Sequence, residues 1–456
     1  MKPNKEQIRE FIAKQNRWFL ILYASSAAFL TYSCMYAFRK PFTVSDFEGF
    51  TMAGVDYKIW LITAQVLGYT LSKFIGISYI AELKSGQRAL SVVLLVGFAE
   101  LALYFFYIIH PPYNFICMFF NGLPLGIIWG IVFSYLEGRQ VTEVLGAALS
   151  ASFIIASGVV KSVGAIVMQY LDVSEFAMPF VTGLIFITPL IISLYFLDCI
   201  PPPTLMDEQT RTKRKPMDKV SRKAFVAAFL PGIILLVTTY VFLTIFRELR
   251  DNYAVELWKA IGYSNNPAIF TQSEIPVAAL TLAALAMVVF IKDNYKALQV
   301  ILYLIAAGFC LVLTAALLYQ NHLIDGTTWM VATGTGLYLG YVPFNAFLYE
   351  RLISAFKVAG NIGFIMYVSD AFGYLGSLGV VFLKNFASPS LSWNDFFVES
   401  GIWLSLIGIL LITASIVYFA KKFYSHTYSK TYEHKQLTRK PLFAFNPRAA
   451  VDKQNS

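Results

Sequence analysis

The stretch TYSCMYAFR, residues 31–39, returns later in the chain as TYVFLTIFR, residues 239–247. Both copies contain Thr-Tyr, five residues that are mostly apolar and a final Phe-Arg, and both close a long apolar segment with an arginine. A short pattern of this kind also arises by chance in a long chain. The weight of the repeat therefore depends on where its two copies lie in the fold.

The composition places the chain in a lipid bilayer. The 456 residues are 57% hydrophobic, 16% aromatic and only 14% charged, whereas soluble domains are about a quarter charged. Apolar runs of about 20 residues, which cross ~30 Å of hydrocarbon as a helix, recur along almost the whole chain. We predict twelve transmembrane helices, at residues 18–38, 59–81, 89–109, 114–136, 145–170, 178–197, 224–246, 275–291, 297–319, 328–349, 360–383 and 401–420.

The lysine and arginine residues are concentrated in alternate loops. Lysine and arginine are frequent before the first predicted helix and in alternate loops, for example at Lys84, Arg139 and Lys292. The other loops, such as HPPYN at 110–114 and LDVSEF at 171–176, are poor in both. Because positively charged loops stay in the cytoplasm, we expect a multi-pass protein of the plasma (inner) membrane with both termini cytoplasmic.

One long polar connection, at residues 198–223, separates six predicted helices from six. It is rich in proline and then strongly basic, which is typical of a solvated cytoplasmic linker. The predicted organisation is an N-terminal segment 1–17, a lobe 18–197, the linker 198–223, a second lobe 224–420 and a cytoplasmic tail 421–456. The net charge of +9 is thus assigned to membrane topology, and we expect no nucleic-acid partner.

The two copies of the opening repeat end the first and the seventh predicted helix, which is the same place in each half. A weaker correspondence supports this register, since FSYLEGR at 133–139 closes the fourth helix and AFLYER at 346–351 closes the tenth. Parallel repeats of six helices are typical of two-lobed transporters that hold their substrate between the lobes near mid-membrane. The sequence therefore predicts an all-α membrane protein with two pseudo-symmetric lobes.

Ionisable side chains inside the predicted helices are candidates for function, because each costs at least about 2.5–3.5 kcal/mol on insertion scales. Cations outnumber carboxylates among them, which predicts a small anionic ligand. Arginine suits that role because its planar fork donates paired hydrogen bonds to phosphate or carboxylate. The cations are Arg39, Lys73, Lys161 and Arg247, and the carboxylates are Glu100 and Asp370.

Other roles remain open for these charges. Arg39 and Arg247 lie at the ends of predicted helices, where arginine also anchors at the membrane surface, and Arg250 is an alternative to Arg247. Lys73 and Lys161 lie deeper and either face a cavity or form buried ion pairs.

The two carboxylates have alternatives as well. Asp370 is either the structural partner of one lysine, for which we favour Lys73, or a proton carrier. Glu100 has the same two candidate roles, ion coupling or a structural pair, although it lies on a helix that we expect outside the cavity.

Aromatic residues and glycines near these charges have a functional and a structural interpretation. Tyr32, Tyr36 and Tyr240 either contact the ligand or fill the core. Gly122 and Gly126 are spaced for close helix packing rather than for binding phosphate. The four cysteines and four histidines show no metal-like spacing, and we expect no cofactor, metal or enzymatic activity.

Two segments carry a resemblance to a known family. RWFLILYASSAAFLTYSCMYAFRKPF at 17–42 and VLGYTLSKFIG at 66–76 resemble the organophosphate:phosphate antiporters of the major facilitator superfamily. In that family an arginine of the first helix, a lysine of an S-K-F segment in the second and an arginine of the seventh bind substrate phosphate. The resemblance assigns these roles to Arg39, Lys73 and Arg247. The family's histidine in the fifth helix is replaced here by an apolar residue near Ile155.

The resemblance implies the major facilitator fold and a secondary active transporter of an organic anion, with a phosphate ester or phosphate as the first expectation. Two lobes would rock around one central site. Two other functions stay open, a proton-coupled symporter and a transporter-like membrane sensor. We expect a monomer whose partners are a small anionic solute and the lipid bilayer.

The loop charges predict which sides of the membrane two positions face. Single cysteines at Gln209 and Asn321, introduced into a cysteine-free variant, should react with an impermeant thiol reagent from opposite sides, because an odd number of helices separates them. The accessible side is read from labelling of intact cells before and after permeabilisation. Labelling of both from the same side would contradict the predicted helix count.

Overall fold

The computed structural model describes residues 5–204, 207, 219–264, 266–356, 362–387 and 392–437. In these ranges the chain is helical except for short loops, two turns of 3₁₀ helix at Pro41–Val44 and Ser85–Gln87, and a ribbon of two antiparallel strands, β1 (Thr51–Met52) and β2 (Val55–Asp56). The helices are α1 (Lys5–Ala13), α2 (Arg17–Tyr36), α3 (Tyr57–Glu82), α4 (Arg88–Ile108), α5 (Phe115–Leu136), α6 (Thr142–Ser150), α7 (Ser152–Leu171), α8 (Met178–Asp198), α9 (Lys219–Asn252), α10 (Ala254–Ala260), α11 (Ile269–Val289), α12 (Asn294–Gln320), α13 (Gly326–Ala346), α14 (Leu348–Phe356), α15 (Ile362–Ala387) and α16 (Trp393–Leu437).

The structure confirms the predicted fold class, an all-α membrane protein with twelve transmembrane helices in two lobes of six, as far as the described ranges extend. Nine helices in those ranges are long and apolar enough to cross a bilayer by length and composition. The other three predicted transmembrane helices are α3, α13 and α15. They are less apolar because they contain lysine, aspartate or many glycines and threonines. The fifth predicted helix consists of α6 and α7, which meet at Ala151.

Several predicted helix ends were wrong. The seventh was predicted to stop at residue 246, but α9 continues to Asn252 with Arg247 and Glu248 buried. The eighth was predicted to begin at residue 275, but α11 begins at Ile269. In both cases the predicted boundary was set at charged residues. These residues remain helical because they are paired inside the protein. The twelfth helix, α16, reaches Leu437, so part of the predicted tail 421–456 is helical.

Equivalent helices pack in the same way in the two lobes. In the first lobe α5 packs against α3 and α4, and α2 packs against α8. In the second lobe α13 packs against α11 and α12, and α9 packs against α16. The lobes meet along two seams, α3 with α15 and α7 with α11. The ends of α2 and α9, which carry the opening repeat, lie between these seams.

The glycines of α5 allow the tightest helix contact in the first lobe. A Cβ added at Gly122 would overlap the backbone oxygen of Gln65 in α3, and a Cβ at Gly126 would lie 2.8 Å from the Cβ of Ser72. Small residues at such a spacing let two backbones approach closely. These glycines therefore set the position of α3, which carries two residues of the site described below.

Replacing Gly122 with alanine should lower the thermal midpoint of the purified protein by several degrees, because the added methyl forces α3 and α5 apart and such overpacking costs about 1–3 kcal/mol. Gly97→Ala on the neighbouring α4 is the matched control, since a Cβ there meets no atom within 4 Å. Equal midpoints for the two variants would contradict the role assigned to the close contact.

Candidate ligand site between the lobes

The end of α2 is shaped by Pro41. Proline has no N–H to donate and its ring crowds the preceding turn, and α2 ends at Tyr36. The backbone oxygens of the following turn bond to side chains of neighbouring helices. Asn121 of α5 donates to the backbone oxygen of Phe38 at 2.9 Å, and Gln65 of α3 donates to that of Arg39 at 2.8 Å. Two buried amides thus fix the turn that carries Arg39.

The side chain of Arg39 lies inside the protein rather than at the membrane surface. It is 2% exposed, and its Cζ atom is 3.8 Å from the ring centroid of Tyr69 and 5.5 Å from that of Tyr374. An arginine over an aromatic face is attracted to the electron density of the ring. Its Nε and Nη2 atoms have no hydrogen-bond acceptor in the described structure.

Arg247 of α9 reaches the same region from the other lobe. Its Cζ atom is 4.6 Å from the ring centroid of Tyr341 and 5.8 Å from that of Tyr374. Its Nη2 atom donates to the Tyr374 hydroxyl at 3.0 Å and to Glu248 Oε1 at 2.6 Å. The Nε atom of Arg247, like that of Arg39, has no acceptor among the described residues. The structure therefore brings the two arginines of the repeat to one place, around Tyr374.

Lys73 and Asp370 form an ion pair across the seam of α3 and α15. Lys73 Nζ lies 2.9 Å from Asp370 Oδ2. Tyr240 donates a hydrogen bond to the other carboxylate oxygen of Asp370, and its hydroxyl lies 3.0 Å from that of Tyr341. The aspartate is thus held by a cation of one lobe and a hydroxyl of the other.

Several of these groups line a small cavity between the lobes, whereas Arg39 lies outside its lining, against the ring of Tyr69. Tyr240 is not among the lining residues but lies one hydrogen bond behind the wall, on Asp370, so its contact with a ligand stays a prediction. The wall is mostly aromatic and cationic, and is formed by Tyr32, Tyr36, Tyr69, Lys73, Trp129, Phe153, Arg247, Tyr341, Asn345, Asp370 and Tyr374.

Lys161 does not line this cavity, and of its two predicted roles, ligand contact or a buried ion pair, the structure shows the ion pair. Its Nζ lies 2.5 Å from Asp251 Oδ1. Both residues line a second small cavity together with Arg250 and Glu274. The partner was not recognised in the sequence because Asp251 was assigned to a loop. Arg250 pairs with Glu274 at 2.6 Å, so Arg247, and not Arg250, is the arginine of the ligand cavity.

Glu100 is also placed elsewhere. It is buried on α4 beside Gly183 of α8, where a Cβ would overlap its carboxyl group. Neither carboxyl oxygen has a hydrogen-bond partner in the described structure, which therefore shows no structural pair for Glu100, and the ion-coupling role stays a prediction. It lies outside the interface of the two lobes.

The sequence analysis missed four charged residues near the lobe interface and named Arg250 only as an alternative to Arg247. The signal in the sequence was RELRDN, 247–252, where charged side chains recur at helical spacing. The missed or reassigned residues are Lys40, Glu248, Arg250, Asp251 and Glu274.

Ion pairs between the lobes close the bundle on both sides of the cavity. Near the β-ribbon, Lys58 lies 2.6 Å from Glu256, and Lys259 pairs with Asp46. Near the other end, Arg351 Nη2 lies 2.7 Å from Glu143 Oε2. Each pair joins one residue from the first lobe to one from the second, so the cavity lies between two sets of interlobe contacts.

Comparison with solved structures identifies the fold as that of the major facilitator transporters. A D-xylose-proton symporter aligns with a TM-score of 0.55 and 15% identity, over 85% of this chain and 96% of that chain. A POT family transporter in complex with 5-aminolevulinic acid aligns with a TM-score of 0.55 and 12% identity, over 89% of this chain and 96% of that chain. At these identities the likeness concerns the fold alone.

The chain belongs to the family described as a family of unknown function (DUF5690), whose profile matches residues 41–422. No curated protein sequence matches it. The match begins two residues after Arg39 and includes α3, α9 and α15, which carry the other charged residues of the cavity.

A double-mutant cycle tests the pair of Lys73 and Asp370. Lys73→Gln or Asp370→Asn alone should cost about 3–5 kcal/mol of stability, because each leaves a buried charge uncompensated, and the double variant should cost less than the sum. Stability is measured by thermal or denaturant unfolding in detergent. Exposed Lys292→Gln serves as control, and strict additivity of the two single changes would exclude the pairing.

Proposed function

We propose that this protein is a secondary transporter of a small organic anion, with a phosphate ester or phosphate as the first candidate. The observation that carries the proposal is the pair of buried guanidiniums, Arg39 behind the cavity wall and Arg247 in it, which come from the two lobes and retain N–H groups without acceptors among the described residues. The resemblance of residues 17–42 and 66–76 to the organophosphate:phosphate antiporters supports the same ligand class.

The unpaired donors favour an anion with several oxygen atoms. A buried N–H without an acceptor costs about 1–3 kcal/mol, and more when the group is charged. Among the described residues, such donors at or beside the cavity are Arg39 Nε and Nη2, Arg247 Nε and Trp129 Nε1. Phosphate or carboxylate oxygens accept from an arginine fork in pairs, so one anion would satisfy donors of both lobes.

The contacts between the lobes suit alternating access. The ion pairs Lys58–Glu256 on one side and Glu143–Arg351 on the other join the lobes through side chains. Such pairs separate without disturbing the packing inside either lobe. A rocking motion that opens one side while the other stays closed would expose the cavity to each side in turn.

A proton-coupled symporter is the second candidate function. The favouring observation is Asp370, a carboxylate on the cavity wall whose partners, Lys73 and Tyr240, come from different lobes. Uptake into proteoliposomes with and without a pH gradient separates the two candidates, since exchange of anions needs no gradient.

We also propose that both termini are cytoplasmic, that the protein lies in the plasma membrane and that it acts as a monomer. The charge asymmetry of the loops supports the orientation. The division into lobes 18–197 and 224–420 around a linker 198–223 fits the two seams, although residues 205–206 and 208–218 of the linker lie outside the described ranges.

Lysine substitutions test the arginine pair, because lysine keeps the positive charge but lacks the planar guanidinium group. Arg39→Lys and Arg247→Lys should each reduce uptake of labelled phosphate or glycerol phosphate into proteoliposomes at least about tenfold, because lysine replaces paired hydrogen bonds by a point charge. Arg39→Gln and Arg247→Gln should abolish uptake.

Folding is monitored by gel filtration, and Arg17→Lys, at the exposed start of α2 and outside the cavity, provides the matched control. Transport by both lysine variants at the wild-type rate and affinity would refute the arginine pair as the ligand site.

A further inference from the structure

We propose that Glu248 is a built-in counter-anion of the arginine pair, and that it restricts the site to ligands that carry one negative charge. This inference rests on the proposed function, because it concerns the same cavity. It names a narrower substrate class, a singly charged phosphate, phosphodiester or carboxylate.

The position of Glu248 carries the inference. Its side chain is 1% exposed, and Oε1 lies 2.6 Å from Arg247 Nη2 and 3.9 Å from Arg39 Nη2. The other oxygen, Oε2, lies 3.4 Å from Lys40 Nζ and accepts a hydrogen bond from Asn252 at 3.1 Å. One carboxylate therefore lies close to both arginines, where a ligand that binds both must also place its oxygens.

The charge balance then limits the ligand. Around the cavity Arg39, Lys73 and Arg247 supply three positive charges, and Glu248 and Asp370 supply two negative charges, which leaves one positive charge. In a water-poor interior, charges a few ångströms apart interact much more strongly than in water. A monoanion completes the balance, whereas a dianion adds a second negative charge beside Glu248.

The other charges nearby belong to a separate cluster, in which two lysines, Lys40 and Lys161, share the single carboxylate of Asp251. Lys40 Nζ lies 2.5 Å from Asp251 Oδ2, closer than to Glu248, and Lys161 shares the same aspartate. Arg250 is bound by Glu274. These residues form the separate cluster that includes the second cavity. Glu248 is therefore the carboxylate among the described residues that competes directly with a ligand for Arg247.

The inference predicts an effect opposite to that of the arginine variants. In Glu248→Gln the carboxylate no longer competes for Arg247, and a second negative charge is no longer repelled. Anion binding should become tighter, and the gain should be larger for a dianion, at least about tenfold. The apo form of this variant should be less stable, because Arg247 loses its buried partner.

The experiment measures binding calorimetrically at pH 8 with two matched pairs of probes. Dimethyl phosphate carries one charge and methyl phosphate two, since the second pKa of a phosphate monoester is about 6. Acetate and malonate repeat the comparison with carboxylates. The wild-type protein should prefer the singly charged member of a pair about tenfold or more, and Glu248→Gln should lose or reverse this preference. Glu100→Gln, which removes a buried carboxylate outside the cavity, should keep it.

The outcomes separate this inference from the proposed function. A wild-type preference for the doubly charged probes would overturn the role of Glu248, even if Glu248→Gln fails to fold. Unchanged selectivity in Glu248→Gln, with binding that still depends on Arg39 and Arg247, would overturn that role alone. Binding that is unaffected by lysine at both arginines would overturn the proposed function, and absence of binding of every probe by both proteins would overturn both.

Discussion

A charged group removed from water must find its partners inside the protein, and this requirement organises the interface of the two lobes. Arg39 and Arg247 are each 2% exposed. Tyr69 and Tyr341 each face one of these arginines, while Tyr374 and Glu248 lie near both. These partners come from α3, α9, α13 and α15, so the two cations are stabilised by helices of both lobes. Relative motion of the lobes must therefore rearrange the same contacts that neutralise the buried charge.

The sequence allowed the fold and part of the site to be predicted, because a lone ionisable residue in an apolar run is a strong signal. Arg39, Lys73 and Asp370 carry that signal and lie at or beside the cavity. Glu248 and Asp251 were missed because a hydropathy pattern ends a helix at a cluster of charges. Whether such a cluster is solvated or paired across an interface depends on contacts that are distant in sequence.

Glu100 shows the limit of this signal. Its isolated position in an apolar run is as conspicuous as that of Asp370, yet it lies between α4 and α8, outside the cavity. The partner of Lys161 was missed for a related reason, since Asp251 is ninety residues away in the chain. A linear pattern identifies which residues are unusual, but it does not identify the helix face that each one occupies. That information requires the packing of the twelve helices.

The repeated segment now has a physical interpretation. Thr31 and Thr239 each donate a hydrogen bond to the backbone oxygen four residues earlier, at 2.8 Å in both cases, and Phe38 and Phe246 are both buried. The two copies thus repeat local structure as well as sequence.

The residue after each arginine breaks this symmetry with opposite charges. Lys40 follows Arg39, whereas Glu248 follows Arg247, and their charged groups lie 3.4 Å apart across the interface. A strictly symmetric pair would place two like charges in contact, which is costly in a buried interface. The opposite charges instead join the lobes at the repeat and place a carboxylate beside the arginines. The difference between Lys40 and Glu248 at equivalent positions therefore joins the lobes, and under the proposal above it also limits the charge of the ligand.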